Sequence, residues 1–103
     1  MVNQYTIKNV LCRDKYTCIF CGSGQWLENV PHHCFFKSEY FADDRDDDWN
    51  LVTVCKNCHF HIHHKSGGKE KEKIGKIIAY KKYAGQNKDK LERILKVKRI
   101  SVF

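Results

Sequence analysis

The chain has 103 residues, of which 42% are hydrophobic, 13% aromatic and 30% charged. That length is typical of one domain, and no run approaches the roughly 18 apolar residues of a transmembrane helix, so we expect no such helix. The N-terminal stretch MVNQYTIKNVLCRDK has neither a charged n-region nor a long apolar segment, so we expect no secretory signal. We therefore expect a cytoplasmic protein, whose paired cysteines bind metal rather than form disulfides.

Charge is distributed unevenly along the chain. Residues 1–64 hold 6 Lys and Arg against 8 Asp and Glu, and residues 65–103 hold 13 against 4, so the net charges are −2 and +9. The breaker Ser66-Gly67-Gly68 favours a boundary. We assign residues 1–66, with all six histidines and all six cysteines, to a core that carries the chemistry, and residues 67–103 to a basic helical extension packed on it. Such extensions are typical of proteins that bind polyanions. The alternative is a lysine-rich surface that only keeps the helices soluble.

The predicted elements of the first part are a short helix and two strands. Apolar residues at helical spacing predict an amphipathic helix over residues 4–14. The aromatic and β-branched stretch of residues 30–36 predicts a strand, which Pro31 restricts to a sheet edge or delays. Residues 51–54 predict a second strand. Between them lies a polar loop, SEYFADDRDDD, whose five aspartates make it a poor surface for DNA.

The basic part predicts two amphipathic helices. The first runs from residue 69 to about residue 83 and the second reaches about Lys98, with Gly85 suited to the left-handed position between them. Because each helix is apolar on one stripe and cationic elsewhere, we expect the stripes to pack on the core or on each other. The stripes are Ile74, Ile77 and Ile78 on the first helix and Leu91, Ile94 and Leu95 on the second.

Four cysteines form two Cys-x2-Cys pairs separated by 33 residues. Each pair lets two thiolates reach one ion, and two pairs complete a tetrahedral set of four sulfur ligands that suits a structural Zn²⁺. A redox-active pair is disfavoured because no βαβ pattern surrounds either one. We expect the remaining Cys12 and Cys34 to be small buried hydrophobic residues. The predicted zinc ligands are Cys18, Cys21, Cys55 and Cys58.

The histidine pattern fits neither a zinc finger nor a metalloprotease, since His59-Phe-His-Ile-His63 lacks the glutamate of an H-E-x-x-H site. His59 and His63 are four residues apart, so they lie on one face of a predicted helix and can bind the same ion. His32 and His33 are neighbours on a strand and face opposite sides. One of them can therefore bind a metal while the other faces a substrate.

Three segments carry a resemblance to a known family: RDKYTCIFCG, NVPHHCFFKS and DDDWNLVTVCKNCHFHIH. Across residues 13–63 they resemble an HNH endonuclease of the zinc-containing ββα-metal type, small stand-alone members of which occur in bacteriophages and mobile elements. The resemblance implies a small ββα-metal core. Together with the four-cysteine zinc knuckle pair, the N-terminal helix and the two basic C-terminal helices predicted above, this core gives an α+β fold. It says nothing about residues 66–103, and the acidic loop of residues 43–48 is longer than in a minimal HNH core.

The resemblance implies a role for each matching position. His33 corresponds to the general base that activates the attacking water, and Asn50 to the residue that orients this base through backbone contacts. His32, His59 and His63 correspond to ligands of a catalytic divalent metal, for which Mg²⁺, Mn²⁺, Ni²⁺ and Zn²⁺ all stay open. The cysteines of the two pairs correspond to the ligands of the structural zinc.

The function implied by the resemblance is metal-dependent hydrolysis of DNA with 5′-phosphate and 3′-hydroxyl products. The expected partner is double-stranded DNA in a prokaryotic or phage-infected cell, and the oligomeric state stays open. Two alternatives also stay open: a zinc-stabilised DNA-binding module with a silent site, and a nuclease that acts on RNA. The side chains expected to contact phosphates are Lys71, Lys76, Lys82, Lys90, Arg93 and Lys96.

Overall fold

The computed structural model describes residues 2–64 and 68–100. Within these residues the chain is a small α+β protein with four α-helices and a two-stranded antiparallel sheet. None of the helices in the described part is both long enough and apolar enough to cross a membrane. The elements are α1 (Gln4–Arg13), β1 (His32–His33), β2 (Leu51–Val52), α2 (Lys56–His64), α3 (Gly68–Ile78) and α4 (Lys88–Lys98).

Helix α1 confirms the helix predicted over residues 4–14. It begins where the Asn3 side chain accepts a hydrogen bond from the Thr6 N–H at 2.8 Å, which is a typical N-cap. Val10 is completely buried, whereas Tyr5 is 76% exposed. The helix therefore packs one face on the protein and leaves the other to solvent.

The two strands lie where the sequence predicts them but are shorter than residues 30–36 and 51–54. Ahead of β1, Pro31 has no N–H to donate to a sheet. Beyond β1, the side chain of Asn50 replaces a neighbouring strand, because its Oδ1 accepts the Phe35 N–H at 2.8 Å. The pairing is limited to His32 opposite Val52 and His33 opposite Leu51.

One hydrophobic core contains residues from both parts of the chain. Leu91 and Leu95 of α4 are completely buried, as their predicted stripe requires, but Ile74 of α3 is 41% exposed. Its neighbour Gly75 faces the core instead, so close that an added Cβ would lie 3.4 Å from the ring of Phe20. The core is formed by Cys34, Phe35, Tyr40, Trp49 and Val52 together with Ala79, Tyr80, Ala84, Leu91 and Leu95.

The C-terminal helices follow the predicted order with one change of geometry. The helix predicted to reach residue 83 is α-helical to Ile78 and continues as a π-helical turn over Ala79–Tyr83. Gly85 has a φ of +51°, in the left-handed region as predicted, and α4 ends at Lys98.

Glycine is required where α3 begins. A Cβ on Gly68 would lie 2.2 Å from the carbonyl oxygen of His61, so only glycine lets the start of α3 approach the end of α2 this closely. Residues 66 and 67, where the boundary between the two parts is predicted, lie outside the described residues.

Of the two cysteines outside the Cys-x2-Cys pairs, Cys34 is buried as predicted and Cys12 is not. Burial raises the pKa of the Cys34 thiol to about 12. Cys12 is exposed. The prediction is wrong for Cys12 because it follows Val10 by two residues, which is about 200° around a helix, so the two side chains cannot both face the core.

An ion pair at the end of α1 connects this helix to the second strand. Arg13 Nε donates to Asp14 Oδ1 at 2.9 Å, and Asp14 Oδ2 accepts the Thr53 N–H at 2.8 Å. The Arg13 guanidinium also donates to the carbonyl oxygens of Asp48 and Leu51. Because both side chains satisfy backbone groups next to β2, the pair fixes α1 against the sheet.

We predict that Asp14→Ala lowers the free energy of unfolding by about 2–4 kcal/mol, since it leaves a buried N–H and a partly buried guanidinium without their acceptor. Urea denaturation measures the change. The exposed Asp43→Ala serves as the control and should change stability by less than about 0.5 kcal/mol. Equal effects of the two substitutions would show that the ion pair does not hold the helix.

Candidate functional site

The four cysteines of the two Cys-x2-Cys pairs lie together, as the sequence predicts. Cys18 and Cys21 are in the turn after α1, and Cys55 and Cys58 are at the start of α2. Their four sulfur atoms all lie within 4.8 Å of one another. The first pair is held by a tight turn in which the Gly22 N–H donates to the Cys18 carbonyl at 2.8 Å. This set of thiols fits a tetrahedral structural zinc site.

The electrostatics of the cysteine cluster favour a bound cation. Burial opposes ionisation of the Cys18 thiol, but hydrogen bonds from the backbone N–H groups of Cys55, Cys21 and Phe20 lower its pKa to about 7. Burial, followed by the neighbouring thiols of Cys55 and Cys18, raises the pKa of Cys58 to about 12. The Cys18 thiolate therefore forms readily at neutral pH, whereas ionisation of Cys58 beside it needs a positive charge, which a metal ion supplies.

Three histidines form a second cluster. His32 comes from β1, and His59 and His63 come from one face of α2. One ring nitrogen of each histidine lies within 4.8 Å of one ring nitrogen of each of the others. The Nε2 atoms of His59 and His63 are 3.1 Å apart. His32 Nε2 is buried and has no hydrogen-bond partner among the described residues. A buried polar atom without a partner costs about 1–3 kcal/mol, and a metal ion bound by the three rings would be that partner.

Two of these rings are held in the neutral form that binds metals. Burial, followed by the nearby rings of His59 and His63, lowers the pKa of His32 to about 3. Burial and His59 also lower the pKa of His63. Since neutral imidazole is the ligand form of histidine, both rings are available to a cation without losing a proton first.

A carboxylate that sequence analysis missed orients His59. Glu28 Oε2 lies 2.9 Å from His59 Nδ1. A carboxylate only accepts, so Nδ1 carries the proton and Nε2 is left with the lone pair toward His63. No motif contains Glu28, and 31 residues separate it from its partner, so no signal in the sequence identifies this contact.

His33 is not a member of the three-histidine cluster and bonds Asp46. Its Nε2 lies 2.7 Å from Asp46 Oδ1, and this hydrogen bond lowers the pKa of the carboxyl group. Nε2 therefore donates, which leaves Nδ1 as the acceptor. The sequence predicts only a polar loop around Asp46, but the 3₁₀ turn Asp43–Asp46 brings its carboxylate to the histidine.

Asn50 connects these elements from inside the protein. Its side chain is completely buried. Oδ1 accepts the Phe35 N–H at 2.8 Å, and Nδ2 donates to the carbonyl oxygens of Phe35 at 3.1 Å and of Arg45 at 2.8 Å. The amide thus ties the chain just after His33 to the chain just before Asp46, which places both side chains of that pair.

Four of the six histidines share one open cleft of about 320 Å³. His33 and the three-histidine cluster line it from β1 and α2, and Lys37 and Arg45 bring two cations to its wall. Chemically, the cleft combines three histidines that could hold a metal ion, a histidine with an acceptor nitrogen, and positive charge for an anionic ligand.

The basic residues expected to contact phosphates differ in their surroundings. Lys90 Nζ lies 3.6 Å from Asp44 Oδ1. Lys71 Nζ lies 3.7 Å from Cys58 Sγ, at the cysteine cluster. Three others, Lys82, Arg93 and Lys96, are exposed.

Lys76 is the exception, and the expectation for it is wrong. It is only 8% exposed. Its ammonium group bonds the Glu39 carboxylate and lies 5.1 Å from the centre of the Phe36 ring. Because α3 packs this face on the protein, Lys76 supports the structure and is not available to a phosphate.

We predict that the purified protein contains about one tightly bound zinc ion per chain and that Cys58→Ser unfolds it. A structural zinc site supplies about 10–16 kcal/mol of apparent binding energy to small domains, which is more than such a chain can lose. Elemental analysis and thermal melting measure both effects. The control Cys12→Ser removes an exposed thiol outside the cluster and should keep both the zinc and the melting temperature. A metal-free protein with an unchanged melting temperature would exclude the zinc site.

No protein-family model, curated protein or solved structure matches the chain. What the protein does is therefore inferred from its own residues. These are a cysteine cluster, a three-histidine cluster and a separate histidine held by a carboxylate.

Proposed function

We propose that the protein is a metal-dependent HNH endonuclease that hydrolyses DNA phosphodiester bonds, leaving a 5′-phosphate and a 3′-hydroxyl. In this proposal β1, β2 and α2 form the ββα-metal core, and the four cysteines hold its structural zinc. The observation that carries the proposal is the cleft in which His33, bonded to Asp46, lies beside the three-histidine cluster. A base next to a metal site is what phosphodiester hydrolysis needs.

His33 is the general base of the proposed reaction. Its Nε2 donates to Asp46, so the lone pair on Nδ1 takes the proton of the attacking water. An imidazole can accept a proton near neutral pH. Asp46 keeps the ring in this tautomer and stabilises the imidazolium that forms when the proton arrives. Asn50 holds His33 and Asp46 next to each other through its hydrogen bonds to the backbone of Phe35 and Arg45.

His32, His59 and His63 would hold the catalytic metal. When bound there, a divalent cation supplies positive charge to the phosphate oxygens and to the leaving 3′-oxygen. Three ring nitrogens without a carboxylate oxygen suit Zn²⁺ and Ni²⁺ better than Mg²⁺, which prefers oxygen ligands. Glu28 supports the site by holding the ring of His59 in place.

The C-terminal helices would bind the DNA backbone. Residues 65–103 carry a net charge of +9 from 13 Lys and Arg against 4 Asp and Glu, and the apolar faces of α3 and α4 are used in the core. Because these helices pack in the core, the fold fixes the cations on their outer faces relative to the cleft. Contacts of this kind position the duplex but carry no sequence information.

A silent binding module is the main alternative. It would need the cysteine cluster and the basic helices, but it has no use for a buried histidine nitrogen without a partner or for a histidine–aspartate pair in a cleft. A nuclease acting on RNA would use the same residues, because both polymers present the same phosphates.

We predict that His33→Ala slows cleavage of supercoiled plasmid by about 10²–10⁴-fold, the usual contribution of a general base. Folding and DNA binding should stay close to wild type because the His33 ring lies on the cleft side and not in the core. The assay uses Mg²⁺, Mn²⁺, Ni²⁺ or Zn²⁺ in turn, and a chelator as the blank.

The matched control is His64→Ala, an exposed histidine on α2 whose ring packs on Phe60 with 4.6 Å between ring centres; it should cleave at the wild-type rate. Near wild-type turnover by His33→Ala would overturn the assignment and make His32 the next candidate for the base. A wild-type protein that binds plasmid but leaves it intact with every metal would be a binding module. Cleavage of RNA alone would identify the second alternative.

We predict that neutralising Lys82, Arg93 and Lys96 together, each to Gln, flattens the salt dependence of DNA binding. The slope of log affinity against log salt is negative, and its magnitude should decrease by about 0.9 for each phosphate that the variant no longer neutralises. The DNA concentration needed for cleavage should rise while the rate at saturation persists, and the weakening should be similar for different sequences.

The control for this triple variant is Lys8→Gln with Lys15→Gln, which removes exposed charges from the first part of the chain. It should leave the slope unchanged. An unchanged slope in the triple variant would mean that the C-terminal helices are only scaffold, and the DNA surface would then lie around Lys37, Arg45 and Lys56.

A further inference from the structure

The charged side chains of the acidic loop, residues 43–48, contact different parts of the protein. Asp46 bonds His33, and Asp44 accepts a hydrogen bond from the buried Tyr40 hydroxyl at 2.8 Å. Arg45 stands between these two aspartates in the sequence and lines the cleft together with the histidines. The five aspartates of this loop predict a poor surface for DNA, yet the loop contributes the cation of Arg45 to the cleft.

The position of Arg45 is fixed from the backbone. The buried Asn50 amide donates to the Arg45 carbonyl at 2.8 Å. This hydrogen bond holds the backbone of Arg45 in place beside the cleft. Its guanidinium Nη2 lies 3.5 Å from Asp46 Oδ1. That separation is longer than a normal hydrogen bond. Within residues 2–64 and 68–100, no hydrogen bond from the Arg45 guanidinium to the protein is present.

We propose that Arg45 binds the phosphate group of the substrate in the cleft. This inference rests on the proposed function and adds to it a substrate-binding residue that lies outside the motif of the resemblance.

The chemistry of the residue fits this role. A guanidinium stays charged at all physiological pH values and offers five N–H donors in a plane, which match two oxygens of a phosphodiester. The carboxylate of Glu28 lines the cleft and bonds His59, and the carboxylate of Asp46 bonds His33, which lines the cleft. An anionic substrate therefore needs an ordered cation there. Lys37, the other cation of the cleft, is exposed, with its ammonium 5.4 Å from the ring centre of Phe41.

The test uses a substrate too small to reach the C-terminal helices, bis(4-nitrophenyl) phosphate, beside plasmid DNA. With the zinc-containing protein and added Ni²⁺ or Zn²⁺, Arg45→Gln should lower kcat/KM for both substrates by roughly 10- to 100-fold, the usual effect of removing a charged hydrogen bond. Most of the decrease on the small substrate should be in KM. Arg45→Lys should recover part of it, and the remote control Lys8→Gln should equal wild type.

Comparing the effects on KM and on kcat distinguishes two roles of Arg45: binding the substrate and holding Asp46 in place. If Arg45 served only to hold Asp46, Arg45→Gln would lower kcat and leave KM unchanged, which would overturn the inference. Unchanged kcat/KM in Arg45→Gln, with an active wild type, would also overturn it and leave the proposed function intact.

A second measurement does not depend on catalysis. Dimethyl phosphate, a phosphodiester that is not cleaved in the experiment, is titrated into the ¹⁵N-labelled protein, and the Arg45 Nε–H signal is followed by NMR. A saturable shift of this signal supports the inference even if the wild type hydrolyses nothing, in which case only the proposed function fails. In Arg45→Gln, the backbone amide signals of the cleft residues report binding instead, and the saturable shifts that dimethyl phosphate causes in the wild type should be lost. No shift in the wild type would overturn the inference.

Discussion

The buried side-chain amide of Asn50 joins the strand pair, the acidic loop and the cleft. It satisfies the N–H and the carbonyl of Phe35 on one side and the carbonyl of Arg45 on the other. Each of these backbone groups would cost about 1–3 kcal/mol if left buried without a partner. The loop therefore cannot move relative to β1 without breaking several hydrogen bonds at once. His33 and Asp46 meet at 2.7 Å because they lie on the two segments that this amide connects.

The short segment from β2 into α2 links the two clusters. Cys55 and Cys58 belong to the cysteine cluster, whereas His59, the residue after Cys58, belongs to the three-histidine cluster. Successive residues of a helix point about 100° apart, so one turn of α2 presents a thiol to one site and an imidazole to the other. A zinc ion in the cysteine cluster would thus fix the start of the helix that carries His59 and His63.

The C-terminal helices belong to the same folded unit as the histidines. Residues of α4 such as Leu91 and Leu95 are completely buried in one core with Phe35 and Trp49. A chain of this length has little apolar surface to bury, and residues 79–95 supply about half of the core. The basic outer faces of these helices are therefore held in a constant position relative to the cleft.

Local patterns determined much of the structure. The spacing of Cys18, Cys21, Cys55 and Cys58 identifies the cysteine cluster, and the four-residue step from His59 to His63 identifies two members of the histidine cluster, because turns and helices place neighbours in sequence at known separations. Apolar periodicity predicts α1, α3 and α4, the spacing of the two histidines predicts α2, and aromatic and β-branched composition predicts the first strand.

Tertiary structure decided the contacts between residues far apart in sequence. Glu28 reaches His59 across 31 residues and Asp46 reaches His33 across 13, and neither carboxylate has a pattern of its own. Lys76 looks like any other lysine of a basic helix until the fold places Glu39 beside it. Periodicity tells which way a side chain points along its own element, but the partner it meets depends on how the elements pack, and only the folded chain shows this.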